Sequence, residues 1–276
     1  MTLVELSAHA PFDFARSLGF LCAFAPTSGE QSTDHGVLTK AFRVAGRTVI
    51  ARITGTPSGI CCEVDTTEAL DAIADRIGFY LSLDDDLAPF YELGRRDPGF
   101  APVIDRLTGY HQVKFPSPLE NLVWAILIQR SPMPAAAKAK QALLDHFGQA
   151  AFPDLGQLTM LSRDDLQTLI RNERKADRLH VALRRWAEVD EAFLRSGPYD
   201  EVREFLLGLP GIGPWSADFI LIRGLGRMER IAADKALVAA ASRTYGRGLT
   251  EHDVRTIADG YGPYQAYWGH YLRAAG

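Results

Sequence analysis

Leu209-Pro210-Gly211-Ile212-Gly213-Pro214-Trp215-Ser216-Ala217-Asp218 is followed about twenty residues later by Ala233-Asp234-Lys235. Two glycines flanking one apolar residue describe a hairpin that can lie very close to another backbone. Pro210 ends an incoming helix, and Ser216-Ala217 keeps the next one slim where it meets the turn. The apolar run from Phe219 to Leu225 continues as a helix whose first amides point outward. Unpaired N–H groups and the helix dipole at such a start both favour an anion, so two or three amides there can hold one phosphate without reading sequence. Asp234 heads the next helical segment, one helix beyond the hairpin and therefore back at the same end. It reads either as a helix N-cap or as a carboxylate placed for chemistry beside that phosphate.

Working outward, 276 residues suffice for one large domain or two smaller ones with real cores. The hydrophobic fraction of 47% and charged fraction of 23% are those of an ordinary soluble globular chain. The first residues show no basic region ahead of a long apolar core, and no apolar run approaches the roughly 18 residues of a membrane span. The expectation is a cytoplasmic protein with no membrane partner. Cys22, Cys61 and Cys62 have neither a pairwise framework nor metal-ligand spacing, and Cys61-Cys62 reads as a reduced pair in a strand. Four cysteines for an iron–sulfur centre are not present.

Net charge is −4, which by itself argues against a nucleic-acid partner. The distribution changes that reading. Residues 1–90 carry 6 basic and 12 acidic side chains, whereas residues 91–276 carry 24 basic and 22 acidic. A DNA surface belongs to the second part and must rely on local amides and a few arginines rather than a broad basic field.

The chain is α+β overall: a small N-terminal α/β domain with a mixed antiparallel sheet over residues 1–85, then a larger all-α bundle over residues 86–276. Phe14 to Phe24 reads as a short helix. The runs 38–44 and 48–53 around Ala45-Gly46-Arg47 form a hairpin, with a further strand from Gly59 to Val64. Leu70, Ile73, Ala74, Ile77 and Leu81 recur at helical spacing within 67–81. Beyond residue 85 no strand pattern is found. Ser117-Pro118-Leu119-Glu120 is a capping box opening a helix to about Gln129. Helices are expected over 135–147, 163–170, 174–187, 200–207, 217–225, 235–245, 251–261 and 265–274.

The hairpin, the apolar helix after it and the Asp234 segment resemble the helix-hairpin-helix DNA glycosylase superfamily, and within it the 3-methyladenine DNA glycosylase II type. Pro11-Phe12-Asp13-Phe14 with Leu18-Gly19-Phe20-Leu21 resembles that branch's N-terminal entry. Ile126-Leu127-Ile128-Gln129 resembles the helix end whose glutamine faces DNA. Arg174-Lys175-Ala176-Asp177-Arg178-Leu179 resembles the helix before the hairpin, and Tyr261-Gly262-Pro263-Tyr264-Gln265-Ala266-Tyr267 the aromatic C-terminal motif. Together the matches run from about residue 11 to 273.

The resemblance implies base excision repair: a damaged nucleotide is flipped out of double-stranded DNA and its N-glycosidic bond hydrolysed, with Asp234 as the catalytic group. The implied substrates are alkylated purines, whose cationic ring leaves readily and is welcomed by π-faces. Trp215, Phe219, Tyr261 and Phe20 are the matching aromatics, with ordinary core as the other reading of Phe20 and Phe219. Phe219 also stands where a hydroxyl-bearing aromatic can occur. Gly211, Ile212, Gly213, Ser216, Gln129 and Arg130 are the implied DNA contacts. Trp215 stands where bifunctional members carry a Schiff-base lysine, which implies base removal without strand cleavage. After Gln129 this chain has Arg130-Ser131-Pro132-Met133 in place of the usual apolar wedge. Either Arg130 fills the gap left by the flipped base, or Met133 reaches it, or Arg130 contacts a phosphate. The family's hairpin commonly holds a monovalent cation, Na+ or K+, through main-chain carbonyls, here those of Leu207, Leu209 and Gly211. No other cofactor is implied, and a monomer is expected. Two alternatives stay open: a glycosylase for deaminated or oxidised bases, if the pocket offers hydrogen bonds instead of bare aromatic faces, and a non-catalytic damage-binding protein.

Overall fold

The first strand opens a five-stranded sheet, β1 (Thr2–Ser7), β2 (Gln31–Asp34), β3 (Val37–Val44), β4 (Arg47–Thr56) and β5 (Gly59–Val64), in the order β1-β5-β4-β3-β2. All pairings are antiparallel in this computed structural model, which describes residues 1–275. Helices α1 (Phe14–Cys22) and α2 (Leu70–Leu81) cover one face of the sheet. Ile73, Ile77 and Leu81 of α2 meet Leu38, Phe42, Ile53 and Ile60 in a common core. Full burial of such a side chain contributes about 1.5–3 kcal/mol, so this face fixes the strand register. Cys62 is buried in β5, and burial pushes its thiol up to about 12.

The rest is helical: α3 (Ala88–Arg96), α4 (Ala101–Leu107), α5 (Pro118–Leu127), α6 (Met133–Phe147), α7 (Leu155–Met160), α8 (Arg163–Ile170), α9 (Glu173–Trp186), α10 (Glu191–Ser196), α11 (Tyr199–Leu207), α12 (Pro214–Leu225), α13 (Lys235–Thr244), α14 (Glu251–Asp259) and α15 (Gln265–Ala275). The expected caps are present: Ser162 with Asp165 and Thr250 with Asp253 form reciprocal boxes. Ser117 accepts from the Glu120 amide, but Glu120 turns away from it. Its carboxylate instead accepts from Lys140 at 2.7 Å, within a buried group completed by Glu30 and Lys40. Two acids and two lysines thus join β3, α5 and α6 where the sheet meets the helices.

The helical part has two cores rather than one. The first is built by α5 to α12, and the second joins α3 and α4 to α13 through α15. Helix α12 belongs to both, placing Ala217, Ile220 and Leu221 in the first and Ile222 in the second. It therefore runs along the seam, where Phe20 and Phe24 of the N-terminal part also arrive.

Six elements were not anticipated from the sequence. β1 and β2 are edge strands, the second entirely polar (Gln-Ser-Thr-Asp), and take their conformation from β5 and β3. Helices α3 and α4 are short and carry prolines in their first turns, and α7 and α10 are six residues each. Segments this short hold together through tertiary packing rather than periodicity.

Candidate active site

The hairpin links α11 to α12. Gly211 adopts φ +86°, and a Cβ there would sit 2.6 Å from Cδ of Arg178, so the turn closes against α9 only with glycine. Gly213 differs: its φ is −95° and a Cβ would meet no atom within 4 Å. Nothing within the protein demands a glycine there, and the space beside it is open. Gly213 is the N-cap of α12, without a side-chain cap and with Pro214 next, so the amides of Trp215 and Ser216 fall in the unpaired first turn. Ile212 does not share this role. It is buried, and its amide donates to the Leu209 carbonyl at 3.1 Å.

Gln129 and Arg178 brace the turn. Gln129 Nε2 donates to the Gly211 carbonyl at 2.7 Å, and its Oε1 accepts from Arg178 Nη1 at 3.0 Å. Both ends of this glutamine are thus held within the protein, while the residue borders a cleft shared with Arg130 and Arg174. Of the carbonyls expected around a monovalent cation, those of Leu209 and Gly211 already accept one hydrogen bond each. One lone pair remains on each, which fits a weakly demanding monovalent ion. Among the described residues no cluster of His, Cys, Asp or Glu exists for a transition metal. Arg130 lies beside the brace in the left-handed region, φ +49°, and borders a cleft with Arg174, Lys175 and Arg178. Met133 opens α6 and is exposed.

Asp234 is both of the things its sequence context allowed. It caps α13, Oδ1 accepting from the Leu237 amide at 2.8 Å. The same carboxylate accepts from Arg273 Nη2 at 3.0 Å and, on Oδ2, from Trp215 Nε1 at 3.1 Å. Burial pushes its pKa up, but the Leu237 amide, the Arg273 guanidinium and the Trp215 indole push it down further. The net position is below the ordinary 3.8, and the group is a carboxylate at neutral pH.

All three donors to Asp234 come from residues that line one cavity of about 430 Å³. Trp215 and Phe219 form a stacked wall, centroids 5.2 Å apart and planes within 7°. Trp215 is 40% exposed at the mouth. Phe20, Phe24, Ile222 and Leu237 supply further apolar surface. Tyr261 is not part of this lining. It is buried in the second helical core and its hydroxyl donates to Asp97 at 3.0 Å, because the turn at Tyr261–Tyr264 faces α3 rather than the seam.

Four polar residues in the lining escaped the sequence reading: Gln112, Arg223, His270 and Arg273. His270 accepts or donates at Tyr110 over 3.1 Å; burial, then Arg223 and Arg273, hold it well below its ordinary pKa, so it is neutral. Arg223 is 7% exposed and makes no side-chain hydrogen bond or ion pair among the described residues. Its guanidinium lies 5.0 and 4.9 Å from the ring centroids of Phe20 and Phe24. Burial lowers its pKa to about 10, which leaves it a cation at neutral pH. The Oε1 of Gln112 is buried and equally unpartnered. Sequence signal for Arg223 existed: it lies eight residues after Trp215, on the same helix face as Phe219.

No family model matches the chain. Over 271 residues it is 26% identical to the probable bifunctional transcriptional activator/DNA repair enzyme AlkA of Mycobacterium tuberculosis, covering 91% of this chain and 53% of that protein. The chain thus spans about half the length of that relative. It is 24% identical over 216 residues to the DNA-3-methyladenine glycosylase of Bacillus subtilis, covering 73% of this chain and 71% of the relative. Its fold superposes on the 3-methyladenine DNA-glycosylase from Archaeoglobus fulgidus with a TM-score of 0.81 at 20% identity, over 99% of this chain and 98% of that one. The resemblance to helix-hairpin-helix DNA glycosylases of the 3-methyladenine type is borne out by both sequence and fold.

Proposed function

We propose that this chain, with the fold of those glycosylases, is a monofunctional DNA glycosylase that removes alkylated purines from double-stranded DNA. The observation that carries the reading is the Asp234 carboxylate, one helix away from the hairpin and held by three donors whose residues all line one aromatic cavity. The hairpin amides and Gly213 grip a phosphate of the duplex, and the cation-holding carbonyls of Leu207, Leu209 and Gly211 stiffen the turn. Arg130 sits beside the brace, where it either fills the gap left by the extruded base or contacts a neighbouring phosphate. The flipped purine stacks against Trp215 and Phe219, whose faces favour a ring carrying positive charge.

When the bond from C1′ to the base nitrogen breaks, the electron pair goes to the base and positive charge builds on the sugar. Asp234, ionised and already oriented, stabilises that charge and orients the water that adds to C1′. No reorganisation is needed, because Leu237, Arg273 and Trp215 hold the carboxylate beforehand. A Schiff-base mechanism needs a lysine within reach of C1′, and the lining described above has none. A single chain carries both the hairpin and the pocket, which supports a monomer.

The test is to incubate the purified protein with a duplex containing 7-methylguanine. Free base is expected to be released with both strands intact until alkali is added. Strand scission without alkali refutes the monofunctional assignment, and absence of base release across alkylated purines refutes the function.

A further inference from the structure

The cavity described above has an unusual floor. One wall is a single face of α12, where Trp215, Phe219, Ile222 and Arg223 recur at helical spacing. At about 1.5 Å per residue, Arg223 lies roughly 12 Å along the helix from Trp215, at the far end from Asp234's indole donor. It is a buried cation that forms no ion pair among the described residues, and the phenols nearest its charge, Tyr110, Tyr80 and Tyr267, are neutral at working pH. Its Nε and Nη2 and the Oε1 of Gln112 are buried without partners in the same lining. Unpaired buried donors and acceptors are rare because their desolvation is uncompensated, so two such side chains among the residues lining one cavity point to a ligand that completes them.

We propose that Arg223 is a leaving-group residue, whose guanidinium donates to the edge of the flipped base and takes up the negative charge the base acquires as its bond to the sugar breaks. The proposal rests on the glycosylase reading and extends it to neutral purines that carry a carbonyl on the edge facing the floor. A cationic alkylated purine leaves as a neutral molecule and gains little from a cation on the floor, which even opposes its entry. A neutral purine leaves as an anion. Its electron pair spreads from the ring nitrogen onto the C6 carbonyl oxygen, and there a guanidinium donor in a water-poor cavity is most effective. Gln112 Oε1 accepts from the adjacent ring N–H. Charge then separates along one axis, with the sugar cation facing Asp234 and the base anion facing Arg223. Water adds to C1′ and loses one proton, and the departing base gains one, so the hydrolysis balances.

The experiment compares single-turnover release of hypoxanthine and of 7-methylguanine from matched duplexes by the wild-type protein, Arg223→Met and Arg223→Lys. The ratio of hypoxanthine to 7-methylguanine release is expected to fall about 100-fold in Arg223→Met, as on removal of an oxyanion donor, and to recover in part in Arg223→Lys. A ratio unchanged in Arg223→Met reduces Arg223 to a packing group stacked on Phe20 and Phe24 and overturns the proposal. A second comparison needs no variant. A purine lacking the C6 carbonyl is expected to be released by the wild-type protein far more slowly than hypoxanthine, and equal rates also overturn the proposal. Release of 7-methylguanine but not hypoxanthine by the wild-type protein overturns the role of Arg223 while leaving the glycosylase reading standing. Release of neither base overturns both.

Discussion

Replacing Asp234 by Asn separates its two structural roles, because asparagine keeps one and loses the other. The side-chain oxygen of Asn can still accept from the Leu237 amide, now 2.8 Å from Asp234 Oδ1, and Asn is among the best N-cap residues. What disappears is the charge, and with it the attraction to Arg273 at 3.0 Å. That pair is about one-third exposed on both sides, so screening limits its worth to about 0–1 kcal/mol. Asp234→Asn is therefore expected to unfold in urea within about 1 kcal/mol of the wild type. The chemistry pays far more: loss of a pre-oriented group facing developing charge costs about 3–4 kcal/mol, or a 100- to 1000-fold fall in the single-turnover rate. Asp234→Ala removes the cap as well and adds about 1 kcal/mol of destabilisation without a comparable further loss of rate. Rates would be measured on a 7-methylguanine duplex with protein in excess, beside urea unfolding of the same preparations. An Asp234→Asn protein within about threefold of the wild-type rate, with Asp234→Ala inactive in proportion to its instability, would show a helix cap and nothing more.

Other expectations follow from the same geometry. Gly213→Ala is expected to fold like the wild type, since its Cβ meets nothing, yet to weaken duplex binding about tenfold by fluorescence anisotropy. Gly211→Ala should instead lose about 1–2 kcal/mol of stability, because its φ of +86° and the contact with Arg178 both resist a Cβ. In the buried group between sheet and helices, Lys140→Met leaves Glu30 and Glu120 facing Lys40 alone; a loss of about 3–5 kcal/mol in urea unfolding is expected. The pKa of Asp234 is depressed in the folded protein, so its stabilising contribution is complete above the unfolded value and is lost as pH falls through the folded one. Base release should accordingly show its Asp234-dependent acid limb below pH 3.8, and a limb near neutrality in wild type that vanishes in Asp234→Asn would contradict that.

Much of the helical part was legible because local chemistry dictates it. Ser162 and Thr250 mark helix starts through their own side chains, and α12 is bounded by Gly213 and Gly226, so their neighbours far along the chain hardly matter. The edge strands were not legible, since Gln31–Asp34 has no hydrophobic alternation and is extended only because β3 offers it a partner. The helical part over 86–276 holds two cores sharing α12, a division that no local pattern encodes.

For the site, the chain by itself determined the hairpin, Trp215 and Phe219 four residues apart on one helix, and Asp234 at a helix start one helix later, all set by residue type and short spacing. Tertiary structure decided the rest. It carried Tyr261 away to Asp97, turned Gln129 inward to Gly211, brought Arg273 from the last helix onto Asp234, and left Arg223 buried without a partner. The physical reason is that spacing specifies which face of one helix a side chain occupies. Whether that face meets solvent, a core or a cavity depends on how several helices pack, and Arg223 acquires its significance only because the described elements around its guanidinium supply no carboxylate.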